Sequence, residues 1–188
     1  MTEELKQILD YPNARREYRM KAAQWVLSHP ETFPDLLEYT FGPELETSIH
    51  ASWVLEFVCL ERLNWLYPFL DRFFGSLASV THESVLRPLS HLCERLCLAY
   101  YTKYDPALRQ AFNQTHKDSL VECCFDWMIE DHKVATQVRA MTCLYYLGTE
   151  IEWIHAELKQ VIEERIHQGS AGYKNRGSKI LDLIKADR

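Results

Sequence analysis

The chain has 188 residues, a formal net charge of −6 at pH 7, 47% hydrophobic residues and 26% charged residues. This composition excludes a disordered chain, and the length suffices for a single domain over residues 1–188. The acidic balance argues against a general phosphate-binding surface, because affinity for nucleic acid comes largely from basic residues that displace counterions.

The predicted elements are all helices, and they come in pairs along the chain. The first helix of each pair is apolar around most of its circumference, which is typical of a buried helix. These first helices cover residues 21–27, 49–60, 85–100 and 138–147. The second helix carries an apolar stripe at the i, i+3, i+4, i+7 spacing of an amphipathic helix. The stripes lie within residues 33–41, 66–77, 120–129 and 154–166.

Turn-forming residues mark several of the predicted boundaries. Asp105 followed by Pro106 predicts an N-cap and a first helical residue, which would start one or two extra turns in the connector between residues 101 and 117. Gly169 follows the predicted end of a helix, and we expect it to take a left-handed conformation. Ser170 would then cap the last helix of the chain.

Short sequence similarities link the predicted pairs to one another. AAQWVL at residues 22–27 and HASWVL at residues 50–55 align on Trp-Val-Leu, and VRAMTCLYYL at residues 138–147 has the pattern of a first repeat helix. A Phe-Gly pair falls at the same place in two successive second helices, at residues 41–42 and 74–75. These features resemble HEAT-like, armadillo-type helical repeats, in particular small, single-domain proteins of bacterial type.

The resemblance implies an all-α fold, a right-handed α-α superhelix of about four HEAT-like helix pairs plus a C-terminal closing helix. Four unrelated helical hairpins would give a similar pattern, so another all-α bundle is the alternative. In a HEAT-like stack the second helices lie side by side on the concave face. The resemblance therefore implies a non-enzymatic scaffold that binds a protein or peptide on that face.

The segment GYKNRGSK, at residues 172–179, has the glycine spacing of a phosphate-binding loop. Such a loop needs a strand before it and a lysine directly after the second glycine, whereas here Ser178 follows Gly177 and a predicted helix precedes. The same region weakly resembles the catalytic loop of adenylosuccinate lyases, but only Ser170 fits that pattern. We therefore interpret the segment as helix, with Gly177 as a packing glycine and lyase activity as a remote alternative.

The cysteines and histidines do not predict a metal or catalytic centre. The six cysteines fall within apolar or amphipathic segments, and Cys93 and Cys97 form an i, i+4 pair that lacks the second pair required by structural zinc. Neither an HExxH motif nor a nucleophile elbow is present. We predict buried, reduced thiols and neither a metal, a cofactor nor a catalytic residue.

The amino terminus does not resemble a signal peptide, and no apolar run reaches the roughly 18 residues that a membrane span needs. We therefore expect a cytoplasmic protein that does not bind membranes.

Exposed aromatic residues would favour a second function. HEAT-like DNA-repair glycosylases hold damaged duplex on a surface with aromatic and basic residues, so a nucleic-acid-binding or repair role is the alternative that this resemblance implies. Trp65, Trp127 and Trp153 are the predicted surface tryptophans, and Trp25 and Trp53 the predicted core tryptophans. The acidic composition makes nucleic acid the less favoured partner.

Acidic residues recur opposite the apolar stripes of the second helices. In a HEAT-like stack these positions would share the concave face, either as a ladder that attracts a basic partner or as a solvated surface that maintains solubility. The predicted binding residues are Asp35, Glu38, Asp71, Arg72, Glu122, Asp126, Gln160 and Glu163.

Overall fold

The computed structural model describes residues 3–186, and its regular elements over that range are helices, which confirms the all-α prediction. The predicted domain extends two residues further at each end, and those residues lie outside the described range. The helices are α1 (Glu3–Leu9), α2 (Arg16–Ser28), α3 (Phe33–Thr40), α4 (Leu45–Glu61), α5 (Leu70–Leu77), α6 (Glu83–Thr102), α7 (Pro106–Ala111), α8 (Gln114–Ile129), α9 (Val134–Leu147), α10 (Glu152–Arg165) and α11 (Ala171–Ala186).

In chain order the helices follow the predicted pairing, with α2 before α3, α4 before α5, α6 before α8 and α9 before α10, and α11 comes last. The chain divides into two compact units, one reaching Leu92 and the other beginning at Cys93, so that the boundary falls within α6. No helix between residues 3 and 186 combines the length and the apolar character that crossing a bilayer demands.

The first unit is organised around α4, which packs against α1, α2 and α3. Ala51, Val54, Leu55 and Val58 are fully buried there, as expected for a helix that is apolar around most of its circumference. The preceding helix α1 was not predicted. Its two apolar residues on one face, Leu5 and Leu9, are spaced by one turn and are buried, but a single turn of pattern is too short to predict a helix.

The predicted helix over residues 66–77 begins later than expected, at Leu70. Two 3-10 turns, Leu63–Trp65 and Tyr67–Phe69, occupy the segment before it. Pro68 explains the delay, because proline lacks a backbone N–H and disfavours the α conformation in the residue before it. The apolar stripe nevertheless continues through both conformations, and Leu66 and Leu70 are buried.

The second unit is organised around α9, which packs against α8, α10 and α11. Ala140, Met141, Leu144 and Leu147 of this helix are fully buried. The predicted N-cap at Asp105 is confirmed, since the amide of Leu108 donates to its Oδ1 at 3.1 Å.

The glycine-rich segment over residues 172–179 lies within α11, so the phosphate-loop interpretation is excluded and the helix interpretation is confirmed. Ser170 caps this helix, because its Oγ accepts from the amide of Tyr173 at 3.3 Å. The left-handed conformation predicted at Gly169 is wrong, since no glycine in the described range has a positive φ. Close packing accounts for this glycine instead: a Cβ there would lie 2.7 Å from the ring of Tyr173.

Gly177 is buried, as predicted for a packing glycine. A Cβ added to it would lie 3.0 Å from Cγ2 of Ile162 and 3.6 Å from Cδ1 of Ile166, both on the neighbouring helix segment. At Gly75, which is exposed within α5, a Cβ would meet nothing within 4 Å.

We predict that Gly177→Leu lowers the free energy of unfolding by about 1–3 kcal/mol, because the larger side chain overpacks the contact with Ile162. Gly75→Leu is the matched control, and its effect should stay within about 0.5 kcal/mol, since it adds the same atoms at a surface position. Urea denaturation of the two variants measures both changes. Equal losses of stability would contradict the assignment of Gly177 to a helix contact.

All six cysteines are buried and free, as predicted. Five lie in the second unit on α6, α8 and α9, namely Cys93, Cys97, Cys123, Cys124 and Cys143.

The thiols of Cys97 and Cys124 each hydrogen-bond with that of Cys143. A hydrogen bond to Cys143 and burial raise the pKa of Cys97 well above its ordinary value, and burial does the same for Cys93 and Cys143. These thiols are therefore protonated at neutral pH, and no His, Cys, Asp or Glu group within residues 3–186 is arranged to hold a metal ion.

Candidate functional site

The structure places the first four predicted binding residues on α3 and α5 of the first unit. Glu38 on α3 forms an ion pair with Arg72 on α5, and the hydrogen bond from Arg72 lowers the pKa of the Glu38 carboxyl. Asp71 is exposed and Asp35 is half-buried.

Glu38 and Arg72 contribute to a groove of about 580 Å³ in the first unit. Lys6 and Glu44 also line it, and the Lys6 Nζ lies 4.0 Å from Glu44 Oε2. Two ion pairs thus offset much of the charge in this groove. Glu3 also lines the groove, so its walls carry three carboxylates and two basic groups.

A second groove, of about 600 Å³, lies on α8 and the start of α10 in the second unit. Its walls combine aromatic, aliphatic and acidic side chains. The lining residues are Asp118, Val121, Glu122, Phe125, Asp126, Ile151 and Trp153. We call this the acidic-aromatic groove. It contains Glu122 and Asp126, two of the predicted binding residues.

The aromatic part of the acidic-aromatic groove is a stacked pair from two helices. The rings of Phe125 on α8 and Trp153 on α10 lie with centroids 5.7 Å apart and planes 20° from parallel. Trp153 is 55% exposed, which confirms its prediction as a surface tryptophan. A tryptophan this exposed leaves apolar area in water, and such area in a concave site is typical of binding surfaces.

The acidic part of the groove follows one line along α8. Asp118, Glu122 and Asp126 are each exposed and are spaced by four residues, so they lie on one helical face about one turn apart. Asp118 accepts a hydrogen bond from Nε2 of Gln114 at 2.7 Å. For Glu122 and Asp126, no Lys or Arg in the part of the chain that the structure describes forms an ion pair.

The negative charge of the groove contributes to the raised pKa of a neighbouring thiol, that of Cys123. Burial, followed by the carboxylates of Asp126 and Glu122, raises the pKa of Cys123 to about 11. Both carboxylates therefore lie close enough to Cys123 to disfavour its thiolate form.

The basic residue on the adjoining part of α8 is engaged elsewhere. Lys117 is buried, and its ammonium group donates to Tyr100 Oη at 3.0 Å and forms an ion pair with Glu150. Burial lowers the pKa of Lys117, but the hydrogen bonds with Glu150 and Tyr100 outweigh it, so the pKa is raised overall. Lys117 therefore stays charged without neutralising Glu122 or Asp126.

The last two predicted binding residues do not line the acidic-aromatic groove. Gln160 lies two turns beyond Trp153 on α10, and its Nε2 donates to Glu164 Oε1 at 3.0 Å. Glu163 lies 3.8 Å from the Lys159 ammonium. Both side chains are exposed and interact within their own helix.

The other tryptophans and three groove or helix residues remain to be compared with the sequence. Trp25 and Trp53, predicted to lie in the core, and Trp65, predicted to lie at the surface, are all half-buried. Trp127 was predicted to be at the surface, but it is 4% exposed, because α8 buries residues on two adjacent stripes rather than one. Asp118 was not predicted, although its four-residue spacing from Glu122 would have indicated it. Ile151 has no such signal, since it belongs to a connector.

Comparison with known proteins identifies the repeat. A family model described as HEAT repeat domain matches residues 5–182. No curated protein sequence matches the chain. The family match extends over nearly all of the helix pairs described above. The chain belongs to the HEAT repeat domain family.

Proposed function

We propose that this protein is a non-enzymatic scaffold that binds another protein, and that the acidic-aromatic groove receives a basic segment of that partner. The observation that carries the proposal is the exposed pair Glu122 and Asp126 beside the exposed ring of Trp153. Interfaces combine a central aromatic contact with charged groups that steer and orient the partner. The groove offers both within one concave site.

The distribution of charge supports this groove over the one in the first unit. There, Arg72 and Lys6 pair with Glu38 and Glu44, so an incoming basic group would have to compete with existing ion pairs. At Glu122 and Asp126 an incoming basic group has no ion pair to compete with among the described residues. The same carboxylates would repel a phosphate backbone, which makes duplex DNA or RNA an unsuitable occupant.

The test is a titration of the full chain with an oligoarginine peptide, using an oligoglutamate peptide of equal length as the negative control. We expect oligoarginine to bind and its affinity to fall as ionic strength rises from about 0.01 M to about 0.15 M, because screening shortens the reach of exposed charges. Absence of binding at the lower ionic strength, or equal binding of oligoglutamate, would contradict the proposed function.

A further inference from the structure

The chain itself shows how its aromatic surfaces interact with cations. In the first unit the Arg19 guanidinium carbon lies 5.2 Å from the centroid of Trp53 and 5.6 Å from that of Phe57. In the second unit the Arg109 guanidinium carbon lies 5.6 Å from the centroid of Tyr100. Distances within about 6 Å are favourable for a cation over an aromatic face.

Trp153 differs from these aromatic residues. Within residues 3–186, no Lys or Arg lies over its ring or over that of Phe125. The ring is nevertheless more than half exposed and lines a groove together with carboxylates. An aromatic surface and anionic acceptors are thus both available at one place.

The three carboxylates of the groove are not equivalent. Asp118 already accepts from Gln114, whereas Glu122 and Asp126 form no ion pair in the described part of the chain. Glu122 and Asp126 are one turn apart on α8, and Phe125, which stacks on Trp153, lies between them in sequence. A group that contacts the aromatic pair can therefore also reach these two carboxylates.

We propose that the acidic-aromatic groove is a subsite for an arginine side chain of the partner protein. The guanidinium plane stacks on Trp153, and its N–H groups donate to Glu122 and Asp126. This inference rests on the proposed function and adds a preference for arginine over lysine. Arginine fits because its guanidinium is planar, weakly hydrated and carries five donors, whereas the lysine ammonium is compact, strongly hydrated and does not stack.

The experiment compares oligoarginine with oligolysine of equal length and charge, titrated into the full chain. We expect oligoarginine to bind about fivefold more tightly, which corresponds to about 1 kcal/mol from stacking on an aromatic ring at an exposed site. Equal affinities would overturn the arginine subsite while leaving the proposed function intact. Binding of neither peptide would overturn both.

Substitutions at Trp153 test whether this side chain causes the preference for oligoarginine over oligolysine. Trp153→Leu should abolish the preference by weakening oligoarginine binding more than oligolysine binding, and Trp153→Phe should retain much of the preference, because a flat aromatic face remains. The exposure of Trp153 makes both variants tolerable for folding, and circular dichroism checks this. An arginine preference that survives Trp153→Leu would overturn the site.

Discussion

The free energy of unfolding should fall steeply as the pH rises above about 9, because buried thiols that stay protonated in the folded chain ionise once it unfolds. All six cysteines are buried. The ordinary thiol pKa is 9.0, and burial raises the pKa of Cys123 and Cys124 to about 11. Cys93 and Cys143 are raised further by burial, and Cys97 by a hydrogen bond to Cys143 together with burial.

The sign follows from proton binding. Below pH 9 the thiols are protonated in both states, so their burial contributes full stability. Above pH 9 the unfolded chain binds fewer protons than the folded one, and each thiol lowers the free energy of unfolding by about 1.4 kcal/mol per pH unit. Burial raises the pKa of Cys59 as well, so the six thiols together should remove several kcal/mol by pH 10, a large part of the stability of an ordinary domain.

Urea denaturation between pH 7 and about pH 10, with reductant present, measures this loss. Cys93→Ala is the matched variant, since it deletes one buried thiol. Its free energy of unfolding should therefore fall less steeply with pH above pH 9 than that of the unchanged protein. A free energy of unfolding that stays constant over this range would contradict the burial of the thiols.

Reversal of two charges in the acidic-aromatic groove should weaken oligoarginine binding by about tenfold to a hundredfold. The variant Glu122→Lys with Asp126→Lys replaces attraction by repulsion at the proposed contact, and like charges facing one another at an interface are costly. Both side chains are exposed, so the loss of stability should be small. Isothermal titration calorimetry at low ionic strength measures the affinities.

The control for this prediction changes net charge equally outside the groove. Asp131 and Asp182 are exposed and do not line it, so Asp131→Lys with Asp182→Lys has the same net charge as the groove variant. We expect the affinity of this control for oligoarginine to fall less than about threefold. It loses only the long-range attraction between the two net charges, which salt screens. Equal losses in the two variants would show that binding follows net charge rather than the groove.

Helix pairing could be predicted from the sequence, because apolar periodicity is a local signal that extends over several turns. The failures have local physical causes. Pro68 delayed the start of α5 to Leu70, and the ring of Tyr173, rather than a left-handed turn, accounts for Gly169. Both depend on conformations or contacts that periodicity does not contain.

The candidate site could be predicted only in part. The position of Glu122 and Asp126 opposite the apolar stripe predicted that both are exposed, and the structure places them in a groove. Spacing could not predict that Arg72 pairs with Glu38 or that Trp153 stacks on Phe125, because those partners are separated by 34 and 28 residues and meet through packing. The sequence thus predicts which charged residues share one face of a helix. It does not predict which of them form ion pairs with residues of another helix.

Photo-crosslinking tests the central claim most directly. An oligoarginine peptide carrying one benzoylphenylalanine is irradiated with the full chain, and the attachment sites are mapped by mass spectrometry. Our account predicts attachment on α8 between Asp118 and Asp126 and around Trp153, with loss of these products in the Glu122→Lys, Asp126→Lys variant. Attachment at the first-unit groove near Glu38 and Lys6, with no product at the acidic-aromatic groove, would contradict it.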